Sequence, residues 1–340
     1  MEKFVVSRDD NIYEAWPDLT MARDGRLICI FMECVHHRDR SYTRIMLTDS
    51  IDNGSSWSPK RPFSESTEGR NYYYNCPRIS TLKGGRLAIT VDRFYHENNG
   101  FYPNYLYFSD DNGVSWSDAV EIPVQGIVPD KLLELSNGRW IIAAHYPDPA
   151  SGKLVQRCWY SDNQGGDWNG PVIIGKSDEL NLCEASILPL GDKLVAFMRE
   201  NSGKGYDCVK AISDDCGETW GELIKFPVQG CHRPVALQLK SGEILIAHRY
   251  KSGKGGAGSG AHNFFIALCD AESALAGTRN EASVRILPVD YDRSPVSDIG
   301  YSGMVQLADG EIYIVNYIVD DAPKAQIRGY RLKMEDFLLS

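Results

Sequence analysis

A repeating pattern of apolar segments and tight turns runs along this chain of 340 residues. Each unit has a short apolar segment, a Gly turn that returns to an apolar position within three residues, and a second apolar or alternating segment. Two such segments around a Gly turn predict a β-hairpin. Six turns share the pattern, with gaps of 60, 53, 53, 51 and 68 residues; their glycines are Gly25, Gly85, Gly138, Gly191, Gly242 and Gly310.

A second pattern, Ser-x-Asp/Asn-x-Gly-x-x-Trp, occurs four times in phase with the first. Its central Asp or Asn positions are 59, 52 and 52 residues apart. The Ser and Asp side chains can bond to nearby backbone groups and Gly supplies a positive φ, so each copy predicts a tight hairpin with a structural, non-catalytic role. The Trp is expected to pack between neighbouring sheets. The copies begin at Ser50, Ser109, Ser161 and Ser213.

The fixed period indicates a repeat architecture. Six units of about four strands each predict an all-β fold, a six-bladed β-propeller that takes in residues 1–340 as a single domain. The last unit is short, because only residues 312–317 and 327–332 read as strands after its turn. We therefore expect an N-terminal strand over residues 4–7 to close the last blade. A short helix is predicted over residues 270–276.

Composition narrows the classes of protein that fit. The net charge of −10 argues against a general nucleic-acid binder. No run of about 18 apolar residues could span a membrane. The first ten residues are too polar for a signal peptide, and nine cysteines without a C-x-x-C pair indicate buried reduced thiols. We expect a cytoplasmic protein, or a secreted one if an export signal has been removed.

The sequence contains one motif typical of nucleotide binding and no motif typical of zinc binding. Residues 253–258 match G-x-G-x-x-G within a glycine-rich loop at 252–260, but a strand-like segment follows at 263–269 instead of a helix. Nucleotide binding is therefore not expected. No zinc signature is present, and we expect neither a metal nor a cofactor.

Polar residues recur where a propeller places its funnel. The start of each innermost strand and the end of the next strand lie on the same face around the axis, so residues scattered in sequence converge there. These positions hold Arg, Asp, Glu, His and Tyr, which predicts a polar ligand site. The substrate-binding candidates are Asp18, His37, Arg78, Asp92, Arg93, His145, Arg233 and Arg249.

The Ser-x-Asp-x-Gly-x-x-Trp repeat resembles the Asp box of the sialidase superfamily, and the resemblance covers nearly the whole chain. It implies a glycosidase acting on an oligosaccharide. Tyr301, in a Tyr-Ser step before the last Gly turn, resembles the nucleophile of that superfamily. Glu184, 15 residues before Arg199, resembles the base of the Tyr and a substrate-orienting Arg. Asp39 lies where the resemblance implies the acid/base, with Asp18 as the runner-up.

The arginines depart from the sialidase pattern. Sialidases bind a carboxylate with three Arg; the first position is Trp16 here, and no Arg stands near Asn263, where the third is expected. Only Arg199 matches. A guanidinium fork suits a carboxylate, so three other arginines would form a different anion clamp, for an acidic sugar other than ordinary sialic acid. They are Arg78, Arg233 and Arg249.

Three functions are consistent with this set. In hydrolysis of a terminal acidic sugar, a neutral Tyr nucleophile avoids repulsion with an anomeric carboxylate, and its pKa of about 10 requires a base partner. A lyase acting on uronates would use His145, His232 or residues 72–74 (Tyr-Tyr-Tyr) as base. A non-catalytic glycan-binding propeller is the third. We expect the hydrolase, with no membrane or nucleic-acid partner.

Overall fold

The structure, a computed structural model, describes residues 1–97, 102–251 and 262–338. In these ranges the strands form six antiparallel sheets, five with four strands and one with an additional short strand. The predicted glycine-rich loop at 252–260, with its G-x-G-x-x-G match, lies outside the described residues. The sheets follow one another along the chain as the six blades of an all-β, six-bladed propeller, which confirms the predicted fold class.

The first part of the chain contributes an N-terminal strand and two sheets. The N-terminal strand is β1 (Glu2–Ser7). The first sheet consists of β2 (Tyr13–Met21), β3 (Leu27–His36), β4 (Asp39–Ser50) and β5 (Arg61–Pro62). The second consists of β6 (Tyr72–Tyr74), β7 (Arg78–Thr81), β8 (Leu87–Tyr95), β9 (Pro103–Ser109) and β10 (Val120–Gln125), with both β6 and β7 paired to β8.

The middle of the chain contributes three sheets. They are β11 (Leu133–Glu134), β12 (Trp140–Pro147), β13 (Leu154–Ser161) and β14 (Asn169–Gly175); β15 (Leu182–Leu190), β16 (Lys193–Glu200), β17 (Asp207–Ser213) and β18 (Ile224–Gln229); and β19 (Cys231–Gln238), β20 (Ile244–Lys251), β21 (His262–Cys269) and β22 (Arg285–Tyr291). The helix α1 (Ala271–Leu275) follows β21, where the sequence predicts it, and the Asp270 side chain caps it by accepting from the Ser273 amide.

The last sheet is closed by the N-terminus. It consists of β23 (Ile299–Gln306), β24 (Ile312–Ile318), β25 (Gln326–Leu332) and β1, with Phe4 opposite Gly329. The predicted closing strand is therefore confirmed. Three 3₁₀ turns complete the described elements, at Lys83–Gly85, Arg279–Glu281 and Met334–Phe337.

Two compact units divide these sheets. One comprises Met1–Leu133 with Arg293–Asp336, and the other consists chiefly of Glu134–Asp292. The first has a core in which Ile30 and Phe31 of β3 are fully buried, and the second has one around Phe197 and Phe226. The expectation of a single domain stays a prediction.

The predicted turns have the expected backbone. All six glycines of the hairpin pattern have positive φ, between 65° and 105°. This conformation is strained for any residue with a Cβ, which explains why Gly recurs with the hairpin period. Gly303 on β23 meets a different constraint, since a Cβ there would lie 2.2 Å from the backbone nitrogen of Leu19 on β2.

The Ser-x-Asp-x-Gly-x-x-Trp segments form the hairpins that join the third and fourth strands of four sheets. In the first copy the Ser50 hydroxyl accepts from the Gly54 amide at 2.8 Å, and Asp52 accepts from the Ser56 amide at 2.9 Å. Trp57 packs on the neighbouring sheet, where its indole donates to the Tyr313 hydroxyl at 3.2 Å. Trp116 and Trp220 likewise contact Phe63 and Cys158 of the preceding sheets.

Candidate functional site

Four inner strands share a bulge at the position where the sequence places site residues. The strand register shifts by one residue at this point in β2, β15, β19 and β23. A non-glycine residue at each bulge takes a left-handed conformation, which costs roughly 1–3 kcal/mol and recurs at functional sites. These residues are Trp16 (φ 54°), Glu184 (φ 51°), Arg233 (φ 50°) and Tyr301 (φ 59°).

Two buried polar side chains hold strained backbone segments in place. Asp92 accepts from the amides of Cys76 at 3.0 Å and Val128 at 2.9 Å, and Val128 has φ 49°. His145 Nδ1 accepts from the Glu184 amide at 3.3 Å. Burial raises the pKa of Asp92 and lowers that of His145 to about 4, so the His is neutral and able to accept.

Asp18 and Arg78 form a buried ion pair in the first unit. Arg78 Nε lies 3.3 Å from Asp18 Oδ2, and both side chains are at most 1 % exposed. Arg78 also donates to the backbone carbonyls of Pro17 at 3.3 Å and Ser302 at 3.1 Å. The pair thus ties β2, β7 and β23 together. Substrate contact by Asp18, Arg78, Asp92 or His145 stays a prediction, one that their burial does not favour.

Aromatic rings link Tyr301 to the hairpin between β3 and β4. The Tyr301 ring centroid lies 6.3 Å from that of Tyr317, Tyr317 lies 5.7 Å from Trp16, and Trp16 lies 5.1 Å from His37. The Trp16–His37 contact is edge-to-face. We call these four residues the aromatic row.

Asp298 binds two members of the aromatic row, His37 at one end and Tyr317, the neighbour of Tyr301. Its Oδ2 lies 2.5 Å from His37 Nδ1, and its Oδ1 accepts from the Tyr317 hydroxyl at 2.8 Å. The Tyr13 hydroxyl also donates to it. Asp298 was not predicted as a site residue; it precedes Tyr301 by three positions, but nothing in the sequence pairs it with His37.

Arg40 covers the aromatic row from the β3–β4 hairpin. Its guanidinium carbon lies 3.8 Å from the Trp16 ring centroid, and its Nε donates to the His37 carbonyl at 3.0 Å. Its Nη1 is buried and has no hydrogen-bond partner among the described residues. Arg40 too was not predicted as a site residue, although the sequence places it in this loop.

Asp39, the predicted acid/base, lies at the exposed tip of the same hairpin. Its Oδ1 accepts from the Ser41 hydroxyl at 2.6 Å and from the Ser41 amide at 3.0 Å. These bonds stabilise the ionised form and lower the pKa of Asp39. A carboxylic acid that donates a proton needs the opposite shift, so the acid/base role of Asp39 stays a prediction that its surroundings do not favour.

Arg93 is enclosed by tyrosine rings. Its guanidinium carbon lies 4.0 Å from the ring centroid of Tyr105, 4.8 Å from Tyr72 and 5.7 Å from Tyr74. Such stacking on ring faces stabilises the cation. Contact between Arg93 and a substrate stays a prediction, and such a substrate would also lie close to these tyrosine rings.

The second unit holds the other predicted catalytic residues together. Arg199 Nη1 lies 2.9 Å from each Glu184 carboxylate oxygen, and its Nη2 donates to the Asn201 amide oxygen at 2.5 Å. Arg233 is fully buried, and Arg249 is 5 % exposed. The predicted Glu184–Arg199 spacing therefore corresponds to a direct ion pair across the β15–β16 hairpin.

The cysteines of this chain form no disulfides. All nine cysteines are free, and eight of them are buried. Within the described residues, no three His, Cys, Asp or Glu side chains are arranged to hold a metal ion. No helix in the same ranges has the length and apolar character needed to cross a bilayer.

The chain is similar in structure to sialidases. No family model and no curated protein sequence matches it. A protein of unknown function from Dyadobacter fermentans superposes with a TM-score of 0.79 at 19 % identity, over 97 % of each chain. The Hadza microbial sialidase Hz136 gives a TM-score of 0.75 at 17 % identity, over 99 % of this chain and 69 % of that one. The intramolecular trans-sialidase from Ruminococcus gnavus, in complex with oseltamivir carboxylate, gives 0.67 at 15 % identity, over 96 % of each.

These similarities define the class of fold. At identities of 15–19 % they establish the architecture and not the activity. The chain has the sialidase-type six-bladed β-propeller fold.

Proposed function

We propose that this protein is a sialidase-like exo-glycoside hydrolase that removes a terminal acidic sugar from an oligosaccharide, with Tyr301 as the nucleophile. The observation that carries the proposal is the backbone of Tyr301, held at φ 59° in the β23 bulge beside Tyr317 and Trp16. Strain of this kind persists where a side chain must be aimed. A phenol is the nucleophile that suits an anionic sugar, because it approaches the anomeric carbon without charge repulsion.

Glu184 and Arg199 are the proposed base and substrate-orienting residue. Glu184 is also held with a positive φ, and its carboxylate is paired with Arg199. A carboxylate fixed in this way is suited to accept a phenol proton, which the ordinary Tyr pKa of about 10 requires. These two roles follow from the resemblance and the ion pair.

An acidic sugar is proposed because cationic groups recur among the candidate residues. Arg40 has a buried Nη1 without a hydrogen-bond partner in the described part of the chain, next to the aromatic row. A guanidinium suits the carboxylate of an acidic sugar, because its planar fork can bind both carboxylate oxygens. Arg233 and Arg249 stay predicted substrate contacts.

The experiment is a turnover panel with mass detection. Aryl glycosides of N-acetylneuraminic acid, 2-keto-3-deoxynononic acid, glucuronic acid, galacturonic acid and neutral sugars are offered together with acidic oligosaccharides. A mass gain of one water is expected for one acidic substrate. Tyr301→Phe should abolish this turnover, whereas Tyr291→Phe, a change at a 63 % exposed tyrosine, should not affect it.

Other outcomes would point to another function. An ultraviolet-absorbing unsaturated product without added water would indicate a lyase. Saturable binding without turnover would indicate a glycan-binding propeller. Undiminished turnover by Tyr301→Phe would exclude Tyr301 as the nucleophile.

A further inference from the structure

The β3–β4 hairpin presents an imidazole that is tied to a carboxylate from the opposite end of the chain. His37 and Asp298 are 261 residues apart, yet Nδ1 and Oδ2 lie 2.5 Å apart. The Asp298 side chain is 13 % exposed, whereas that of His37 is 37 % exposed. A carboxylate in this position fixes the orientation of the ring and the site of its Nδ1 proton, which leaves Nε2 to exchange a proton elsewhere.

The second nitrogen of His37 is available for chemistry. Nε2 has no hydrogen-bond partner among the described residues, and the ring stands edge-on to Trp16 at one end of the aromatic row. Tyr301 lies at the other end of the row. Tyr317 and Trp16, which are buried, thus connect the proposed nucleophile with an imidazole that is partly exposed.

In the part of the chain that the structure describes, two charged groups contact His37. Asp298 faces it from the segment before β23, and Arg40 binds its backbone carbonyl from the same hairpin. The hydroxyls of Tyr13 and Tyr317 also donate to Asp298. The hydroxyls of two tyrosines on different strands, β2 and β24, thus fix the carboxylate that holds the ring.

The two predicted carboxylic acids are less suited to donate a proton. Asp39 is exposed and its ionised form is stabilised by Ser41. Asp18 is fully buried beside Arg78 and accepts from the Ile79 amide at 3.0 Å. Asp18 is therefore not accessible to a substrate, and the surroundings of Asp39 favour its ionised form, which cannot donate a proton.

We infer that His37 is the general acid/base of the proposed hydrolysis and that Asp298 is its positioning residue. The inference rests on the proposed function. The His37 imidazolium gives its Nε2 proton to the glycosidic oxygen; the electron pair of the breaking bond goes to that oxygen, and the aglycone leaves as an alcohol. As that bond breaks, the Tyr301 phenol oxygen forms a bond to the anomeric carbon and its proton passes to the proposed base, Glu184. Water then attacks that carbon and its proton goes to His37 Nε2; the bond to Tyr301 breaks with its electron pair returning to the phenol oxygen, which takes its proton back from Glu184.

The test compares leaving groups in His37→Gln and wild type. A nitrophenyl glycoside leaves without protonation, whereas a methyl glycoside of the same sugar needs an acid. We expect His37→Gln to lower kcat/KM about 100-fold or more for the methyl glycoside and less than about 10-fold for the nitrophenyl glycoside. The matched control is His36→Gln, because His36 is on the same hairpin and contacts Tyr13 but not Asp298; it should lower neither value.

The outcomes separate this inference from the proposed function. If the wild type hydrolyses both glycosides and His37→Gln lowers both equally or neither, the acid/base assignment is overturned while the hydrolase stands. If the wild type hydrolyses no glycoside, the proposed function fails and this inference fails with it. Retained turnover of the nitrophenyl glycoside also shows that the variant is folded.

Discussion

Arg199 Nη1 lies 2.9 Å from both carboxylate oxygens of Glu184, so a single guanidinium nitrogen donates to both oxygens. This leaves Nη2 to bind Asn201. The Glu184 amide is meanwhile held by His145 at 3.3 Å. Backbone and side chain of Glu184 are therefore fixed by different groups, which is what a strained residue at a bulge requires.

The first prediction concerns the strength of this ion pair. Arg199→Ala removes a cation that lies 2.9 Å from the buried Glu184 carboxylate, which should lower the free energy of unfolding by about 3 kcal/mol. Adding Glu184→Gln should restore part of the loss, because the charge is then removed. Urea unfolding measures both. The control is Lys193→Ala, whose partner Asp214 is 72 % exposed and whose loss should cost less than about 1 kcal/mol. Equal costs for Arg199→Ala and Lys193→Ala would contradict the prediction.

The second prediction concerns the strained backbone at Val128. A β-branched residue at φ 49° is unfavourable by about 1–2 kcal/mol, a penalty that Gly escapes. Val128→Gly should therefore be as stable as Val128→Ala or more stable, by up to about 1 kcal/mol. At Val209, buried in β17 with ordinary strand geometry, the Gly variant should be less stable than the Ala variant by about 1 kcal/mol. Thermal or urea unfolding of the four variants measures these differences in stability. If the Ala variant is more stable than the Gly variant at both positions, the backbone at Val128 is not strained.

The hairpins, the repeat and the closing strand were predictable because each leaves a local signal. A turn that needs positive φ selects Gly, and a Trp that packs on the next sheet recurs with the period of the blades. The closing strand followed from a shortage of strands after Gly310. These features depend on neighbours in sequence or on counting, and both are visible in one chain.

The partners of the site residues were not predictable in the same way. Polar residues at strand ends can face a ligand or can hold backbone amides, and both roles select the same residue types. Asp92 and His145 were expected at a ligand and are buried against the amides of Val128 and Glu184. The His37–Asp298 contact depends on side-chain packing between segments 261 residues apart, for which the sequence holds no periodic signal.

The third prediction is a pH dependence of stability at Asp320. Hydrogen bonds and ion pairs from Arg293 and then Arg328 lower the pKa of this carboxyl group to about 2. Because the folded pKa lies below the unfolded value of about 3.9, the group stabilises the fold above pH 4 and loses this contribution as the pH falls towards 2. Asp320→Asn should lower the free energy of unfolding at pH 7 by about 1 kcal/mol, since Arg293 is largely exposed.

Urea unfolding between pH 7 and pH 3 measures this effect. Asn tolerates the φ of 49° at this position, so the substitution changes the charge and keeps the turn. The gap between wild type and Asp320→Asn should narrow below about pH 4. Asp321→Asn, at a neighbouring carboxylate that is 53 % exposed, should show a gap of less than about 0.5 kcal/mol. A gap for Asp320→Asn that is constant with pH would show that the carboxylate charge is not its cause.

The last prediction concerns the choice of an acidic sugar and depends on the proposed function. Arg40 holds its guanidinium 3.8 Å from the Trp16 ring centroid, with a buried Nη1 that has no partner among the described residues. A substrate carboxylate that binds the Arg40 guanidinium would gain a charged hydrogen bond of about 1.5–3 kcal/mol. Arg40→Gln should then lower kcat/KM about 10- to 100-fold for a glucuronide-type aryl glycoside, and leave its neutral glucoside counterpart nearly unchanged. Arg38→Gln, an exposed change on the same hairpin, should keep the wild-type ratio between the two substrates. If Arg40→Gln and Arg38→Gln give the same ratio, the carboxylate is recognised by other groups, and Arg40 serves only to cover the aromatic row.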